Sequence, residues 1–156
     1  MTLLPDYSAS THAGTPDLLT AVVGATRVAV AERRKLIPNG QLEREAAART
    51  PRAEEFRAAL ARSEGFNVIA ECKRRSPVRG ILQKDYDPAA LARVYARAGA
   101  AAISVLTEPS FFDGSVEHLK SVRDAVDLPI LRKEFVVTEY QLIEARAAGA
   151  DAALLI

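Results

Sequence analysis

Four short apolar runs, at 67–72 (NVIAEC), 101–106 (AAISVL), 129–135 (PILRKEF) and 151–156 (DAALLI), alternate with three stretches of helical periodicity, and this alternation constrains the fold most. Runs of that length read as strands, and helical connections between them make neighbouring strands parallel. Each helix has its own start signal: Asp87 precedes Pro88, Ser115 precedes an early Glu117, and Thr138 stands three residues before Gln141 in a capping-box pattern. In the first of these helices Leu91, Val94, Tyr95 and Ala98 fall at i, i+3, i+4 and i+7, one face to lay on a sheet, and Gly99 ends it. The fragment Ala-Gly-Ala-x-Ala occurs at 98–102 and again at 148–152, each time where a helix gives way to a strand. An ancestral duplication and the ordinary preference of helix ends for glycine both account for it.

Right-handed crossovers leave two architectures for such a pattern, the open doubly wound sheet and the (βα)8 barrel. Neither a G-x-G-x-x-G nor a Walker A loop follows the first strand, which favours the barrel. Ahead of that strand, Leu18, Leu19, Val22, Val23, Val28 and Val30 predict an amphipathic helix over 17–36, stopped by Pro38-Asn39-Gly40. A second helix, over 53–62, follows Pro51 and precedes Gly65. The expected organisation is a flexible leader (1–16), a helical extension (17–65) and a βα region (66–156). The leader, rich in Ser, Thr, Gly and Pro, carries no assigned chemistry.

A formal net charge of +1 provides no global field for nucleic acid or an anionic membrane, so any anion site must be local. The N-terminal segment lacks a basic region followed by an apolar one, and nowhere do about 18 apolar residues run together. The single cysteine, Cys72, fits a reducing compartment, and a cytoplasmic location is expected.

The richest chemistry lies in IAECKRRSPVRG (69–80), where an apolar strand ends in Glu71 and Lys73. Period two puts both on one face, about 7 Å apart along the strand, with Ala70 and Cys72 on the other. In a barrel the first face is the interior, and the C-terminal mouth is where active sites are built. A functional pair and a structural ion pair both satisfy that placement. Arg74, Arg75, Ser76 and Arg79 follow, as a cluster for a carboxylate or phosphate or as a solvated basic loop.

In PILRKEFVV (129–137), Leu131, Lys133 and Phe135 share a face. A lysine acts as a general acid near neutrality only if desolvation or a neighbouring cation lowers its pKa, and convergence of Lys73 on Lys133 would provide such a neighbour; a surface lysine at a strand end is the plainer reading. Between the two motifs, SVLTEPSFFDGS (104–115) carries adjacent phenylalanines, one to wall a pocket and one to anchor the loop, or both simply to pack it. Cys72, with no histidine nearby, reads as a small core residue, and His12 and His118 are too isolated for a metal site.

From about Asp17 onward the chain resembles the indole-3-glycerol-phosphate synthase family. The resemblance rests on four motifs in order: I-A-E-x-K-x-x-S-P-x-x-G, S-V-L-T-E with F-x-G-S, K-x-F-V-V, and G-A-D-A-x-L-L-I. It implies a TIM-barrel α/β fold and a carbon-carbon lyase of tryptophan biosynthesis. That enzyme converts 1-(2-carboxyphenylamino)-1-deoxyribulose 5-phosphate into indole-3-glycerol phosphate, losing carbon dioxide and water, without a cofactor. By resemblance Lys133 is the general acid on the ribulose carbonyl, Lys73 a cation for the substrate's anionic groups and later proton transfers, and Glu71 the carboxylate that orients and balances them. Ser76 and Pro77 shape the rim, while Phe112, Phe135 and Leu154 line a pocket for the aromatic ring. Arg75 is a further substrate-binding candidate and stands where the family commonly has lysine, which keeps the charge but changes its geometry.

An eight-stranded barrel typically needs about 250 residues, so 156 residues with four strand signals predict the helical extension plus a half-barrel. The family's glutamate base on its fifth strand, asparagine on its sixth and phosphate loops after its seventh and eighth have no counterpart here. The expectation is therefore a chain inactive alone, partnered by a complementary C-terminal half-barrel or self-associating through exposed sheet edges. The alternative is a non-catalytic half-barrel that serves as an assembly module. For the enzyme segment the expected partner is a small phosphorylated substrate, with no nucleic acid and no membrane.

Overall fold

The computed structural model describes residues 17–50 and 52–156; the predicted leader, His12 and Pro51 lie outside the described residues. Helix α1, Leu18–Leu36, starts where the Asp17 side chain accepts the Thr20 N–H at 2.7 Å. Its buried stripe is Val22, Thr26 and Val30, one residue per turn, so Val28, expected on the apolar face, points outward. Pro38 stops α1 as predicted, but the chain restarts at once as α2, Asn39–Ala47, a helix the sequence reading missed. It buries Leu42 and Ala46 with Val30, Tyr140 and Ala147. Helix α3 spans Ala53–Leu60, slightly shorter than expected, and lies against the first inner strand of the sheet.

The βα region opens with β1, Ile69–Cys72, followed by a small antiparallel hairpin of β2, Arg75–Ser76, and β3, Gly80–Ile81, in place of the predicted loop. Thereafter come α4 (Pro88–Arg97), β4 (Ala102–Leu106), a short α5 (Pro109–Phe112), α6 (Val116–Ala125), β5 (Ile130–Lys133), α7 (Glu139–Ala148) and β6 (Ala152–Ala153). Strands β1, β4, β5 and β6 form one parallel sheet in that order. Sequential parallel strands with helical crossovers are the first four βα units of a barrel.

Helix starts follow the predicted chemistry. Asp87 accepts the Ala90 N–H at 2.9 Å and Ser115 the His118 N–H at 3.1 Å. At α7 the Gln141 side chain reaches back to accept the amides of Val137 and Thr138, at 2.8 and 3.2 Å. The repeated Ala-Gly-Ala fragment does the same work twice. Gly99 and Gly149 take positive φ, and the next amides, Ala100 and Ala150, donate back to Tyr95 O and Ala145 O.

The main core lies between sheet and helices and joins Cys72, Ile103, Val105 and Ile130 to Ala92, Leu119, Val122 and Ala148. Leu91 and Tyr95 of α4 pack onto it, whereas Val94 and Ala98 face solvent, so the inward face of α4 is rotated from the predicted one. The strand signals overshoot too. The third ends at Lys133 because the chain turns out of the sheet at Glu134, and the fourth pairs only at Ala152–Ala153. Strands β1 and β6 are the outer ones, and near them Phe66 (90 %) and Ile156 (86 %) are exposed.

Candidate active site

Cys72 pairs with Val105 and is sealed under α4, which fixes the facing of its neighbours. Alternation turns Glu71 and Lys73 to the opposite face, and on β5 the same alternation turns Leu131 and Lys133 there, with Ile130 and Arg132 behind. Small Ser104 lies in register with both Glu71 and Leu131. One Glu71 carboxylate oxygen accepts from the Lys73 ammonium and the other from Lys133 Nζ, the latter at 2.5 Å. Two lysines from strands that are not neighbours thus converge on one carboxylate at the C-terminal mouth. Partial burial pulls the Glu71 carboxyl upward, but hydrogen bonds and charge from Lys133 and Lys73 outweigh it and hold the group below the ordinary glutamate value. Side-chain exposures of 41 % for Lys133 and 29 % for Lys73 leave both ammoniums open to a ligand. Cys72 faces the core, where burial pushes its thiol up to about 12.

The Phe112 and Phe135 rings stand 6.3 Å apart, tilted by 32°. Phe112 is placed by Glu108, a fully buried residue to which the sequence reading gave no role. Its carboxylate accepts the N–H groups of Ser110, Phe111 and Phe112 at 2.8, 2.7 and 3.1 Å and thereby caps α5. The glycine of the F-x-G-S motif also has a steric reason, since a Cβ at Gly114 would sit 2.5 Å from Leu106 O. Leu154 continues β6, with its N–H donating to Arg132 O at 3.1 Å; alternation from Ala152 puts it on the side of Lys133.

The basic stretch after Lys73 divides. Arg74 is paired with Asp113, which ties the start of the β2–β3 hairpin to the end of α5. Ser76 accepts the Arg79 N–H at 3.0 Å within the hairpin turn. Arg75 and Pro77 are exposed.

Comparison with known proteins shows the family. The family model described as indole-3-glycerol phosphate synthase matches residues 19–156. The chain belongs to the indole-3-glycerol phosphate synthase family. Curated proteins of that name include one from Rhodopirellula baltica, 46 % identical over 139 residues, which cover 89 % of this chain and 53 % of the relative. Another, from Streptomyces griseus, is 52 % identical over 139 residues, 89 % of this chain and 51 % of the relative. A third, from a Nocardioides species, is 63 % identical over 95 residues, 61 % of this chain and 36 % of the relative. The chain spans about half the length of the first two relatives.

Within this member of the synthase family, the chemistry behind β5 is as dense as that in front of it, and sequence reading missed it. Arg132 and Glu134, fully buried, flank Lys133 and point toward the helices. Arg132 donates to Thr107 Oγ1 (3.0 Å), Gln141 O (2.8 Å) and Glu144 Oε2 (2.8 Å). Charges alternating with Lys133 in an apolar run were the available signal, because period two turns them away from the mouth. At the opposite ends of the strands, a cavity of about 510 Å³ is lined by Arg52, Arg123, Arg146 and Asp151. There Arg123 donates to Asp151 at 3.0 Å and to Leu128 O at 2.8 Å, while Asp151 accepts the Ile130 N–H at 2.8 Å. That cavity is a clasp between α6 and the strand starts, remote from the lysines.

Proposed function

We propose that the chain serves indole-3-glycerol phosphate synthesis, the ring closure and decarboxylation of 1-(2-carboxyphenylamino)-1-deoxyribulose 5-phosphate. Lys133 donates a proton to the ribulose carbonyl oxygen as the ring carbon bonds to that carbon. Lys73 holds the substrate's anionic groups and takes part in the proton transfers that accompany loss of carbon dioxide and water. Glu71 orients both ammoniums and balances their charge until a substrate carboxylate displaces it. The observation that carries this reading is the convergence of Lys73 and Lys133 on Glu71 at the open mouth of the strands. Phe112, Phe135 and Leu154 form the wall for the aromatic ring, with Arg75, Ser76 and Pro77 at the rim. No cofactor takes part. A complementary half-barrel supplies the remaining acid–base and phosphate-binding groups, and the reaction runs in the cytoplasm; among the described residues no helix is long and apolar enough to cross a membrane.

The test is indole-product fluorescence from the 156-residue chain, alone and mixed with the C-terminal half of the Streptomyces griseus relative. Turnover is expected only in the mixture, and Lys133→Ala is expected to lower it by about 10² to 10⁴. An unchanged rate in that variant overturns the assignment. A second reading, an assembly module without catalysis, is favoured by the exposed apolar residues Phe66 and Ile156 near the outer strands. It predicts association with the complementary half and no turnover in any mixture.

A further inference from the structure

We propose that Arg33, Glu144 and Arg132 are positioning residues, a buried ionic relay from α1 to β5 that aims the strand end carrying Lys133 and Phe135. Their role in turnover rests on the reaction proposed above; the relay itself rests on geometry. Arg33 grips Glu144 with two nitrogens, Nε to Oε1 at 2.7 Å and Nη2 to Oε2 at 3.1 Å. The same Oε2 accepts from Arg132 Nη2 at 2.8 Å. Arg132 then reaches Thr107, whose hydroxyl donates to Glu134 Oε2 at 2.8 Å, while Glu134 Oε1 accepts the Phe135 N–H at 3.0 Å. Gln141, whose backbone carbonyl Arg132 holds, donates its side-chain amide to Phe135 O at 3.0 Å. Both polar groups of the Phe135 residue are therefore held from behind, two residues past Lys133.

Burying three charges and half-burying a fourth is a poor way to gain stability, because well-packed apolar residues of similar volume often do as well or better. What a fork-shaped guanidinium adds is direction, since each donor fixes one acceptor in one place. The set is balanced, two guanidiniums against two carboxylates, and Arg33 is the member contributed by the N-terminal helices. Without it Arg132 faces Glu134 and Glu144 alone, and burial already pushes the Glu134 carboxyl upward. Helix α1 also lies against α5, which carries Phe112, so its docking bears on both aromatic walls.

Amide hydrogen exchange in the 156-residue chain, read at Phe135 and at the buried reference Val105, tests the relay in Arg33→Met, Arg33→Lys and the control Lys35→Met. Arg33→Met is expected to speed Phe135 exchange about 10-fold more than Val105 exchange, Arg33→Lys to recover part of the protection, and Lys35→Met to change neither. In the mixture with the complementary half, kcat falls about 10-fold in Arg33→Met while KM moves less than about 2-fold, within the ~10² that an ångström of misplacement costs. Equal acceleration at Phe135 and Val105 means that Arg33 supports only global stability, and it overturns the relay. Should Arg33→Met not fold, the same ratio is read in Arg33→Lys. A wild-type mixture without turnover counts against the proposed reaction, while the exchange ratio still decides the relay.

Discussion

The two faces of β5 carry similar charges in opposite circumstances. In front, Lys133 and Lys73 share Glu71 at a mouth where solvent reaches all three. Behind, Arg132, Glu134 and Glu144 are shut away under α7 and α1, with Arg33 at the partly exposed end. Both clusters arise from the same period-two alternation, and burial alone separates their uses. An accessible ammonium can exchange its partner for a ligand, whereas a buried guanidinium with every nitrogen engaged can only hold its surroundings in place.

That contrast breaks most visibly if the front residue proves structural. Lys133→Ala should cut turnover of the assembled protein by about 10² to 10⁴ while moving the urea midpoint little, because the lost pair is solvent-accessible. Arg132→Met should do the reverse to stability, costing about 3–5 kcal/mol in urea unfolding because two buried carboxylates lose a shared partner. A stable Arg132→Met chain would erase the distinction.

A subtler comparison is pH dependence, since the two carboxylates are shifted in opposite directions. Glu71 is held below its unfolded value, so its contribution is present above the unfolded pKa and disappears as pH falls through the folded one. Burial raises Glu134 against the opposing pull of Arg132, Thr107, the Phe135 amide and Arg33, so its contribution is complete below the unfolded pKa and is lost as pH rises through the folded value. Unfolding free energy measured across pH should therefore lose part of its acid-side fall in Glu71→Gln and part of its fall toward neutral pH in Glu134→Gln. Matching slopes in the two variants would contradict the opposite shifts. Least of all, Lys35→Met, which removes an exposed pair with Glu32, should change stability by less than about 0.5 kcal/mol.

The parallel βα order, the helix starts at Asp87, Ser115 and Thr138, and the facing of Glu71, Lys73 and Lys133 were all legible in the residues. Each depends on local geometry, a cap or an alternation that neighbouring residues settle. Helix α2 was not legible, because nine residues with Leu42 and Ala46 as the buried pair give little periodicity until α7 covers them. The β2–β3 hairpin was hidden within a basic loop, and Glu108 had no role of its own inside the S-V-L-T-E motif, because the three amides it caps are fixed only by the turn of α5.

What the sequence determined alone is a half-barrel of the synthase family and the strand ends at which its lysines stand. Only tertiary structure decided that Glu71 joins Lys73 to Lys133, that Arg74 is already paired with Asp113, and that Arg33 reaches Glu144 across 111 positions of chain. Alternation fixes which way a side chain points relative to its own strand. It says nothing of what stands opposite, because that depends on strand order, register and the docking of helices distant in sequence.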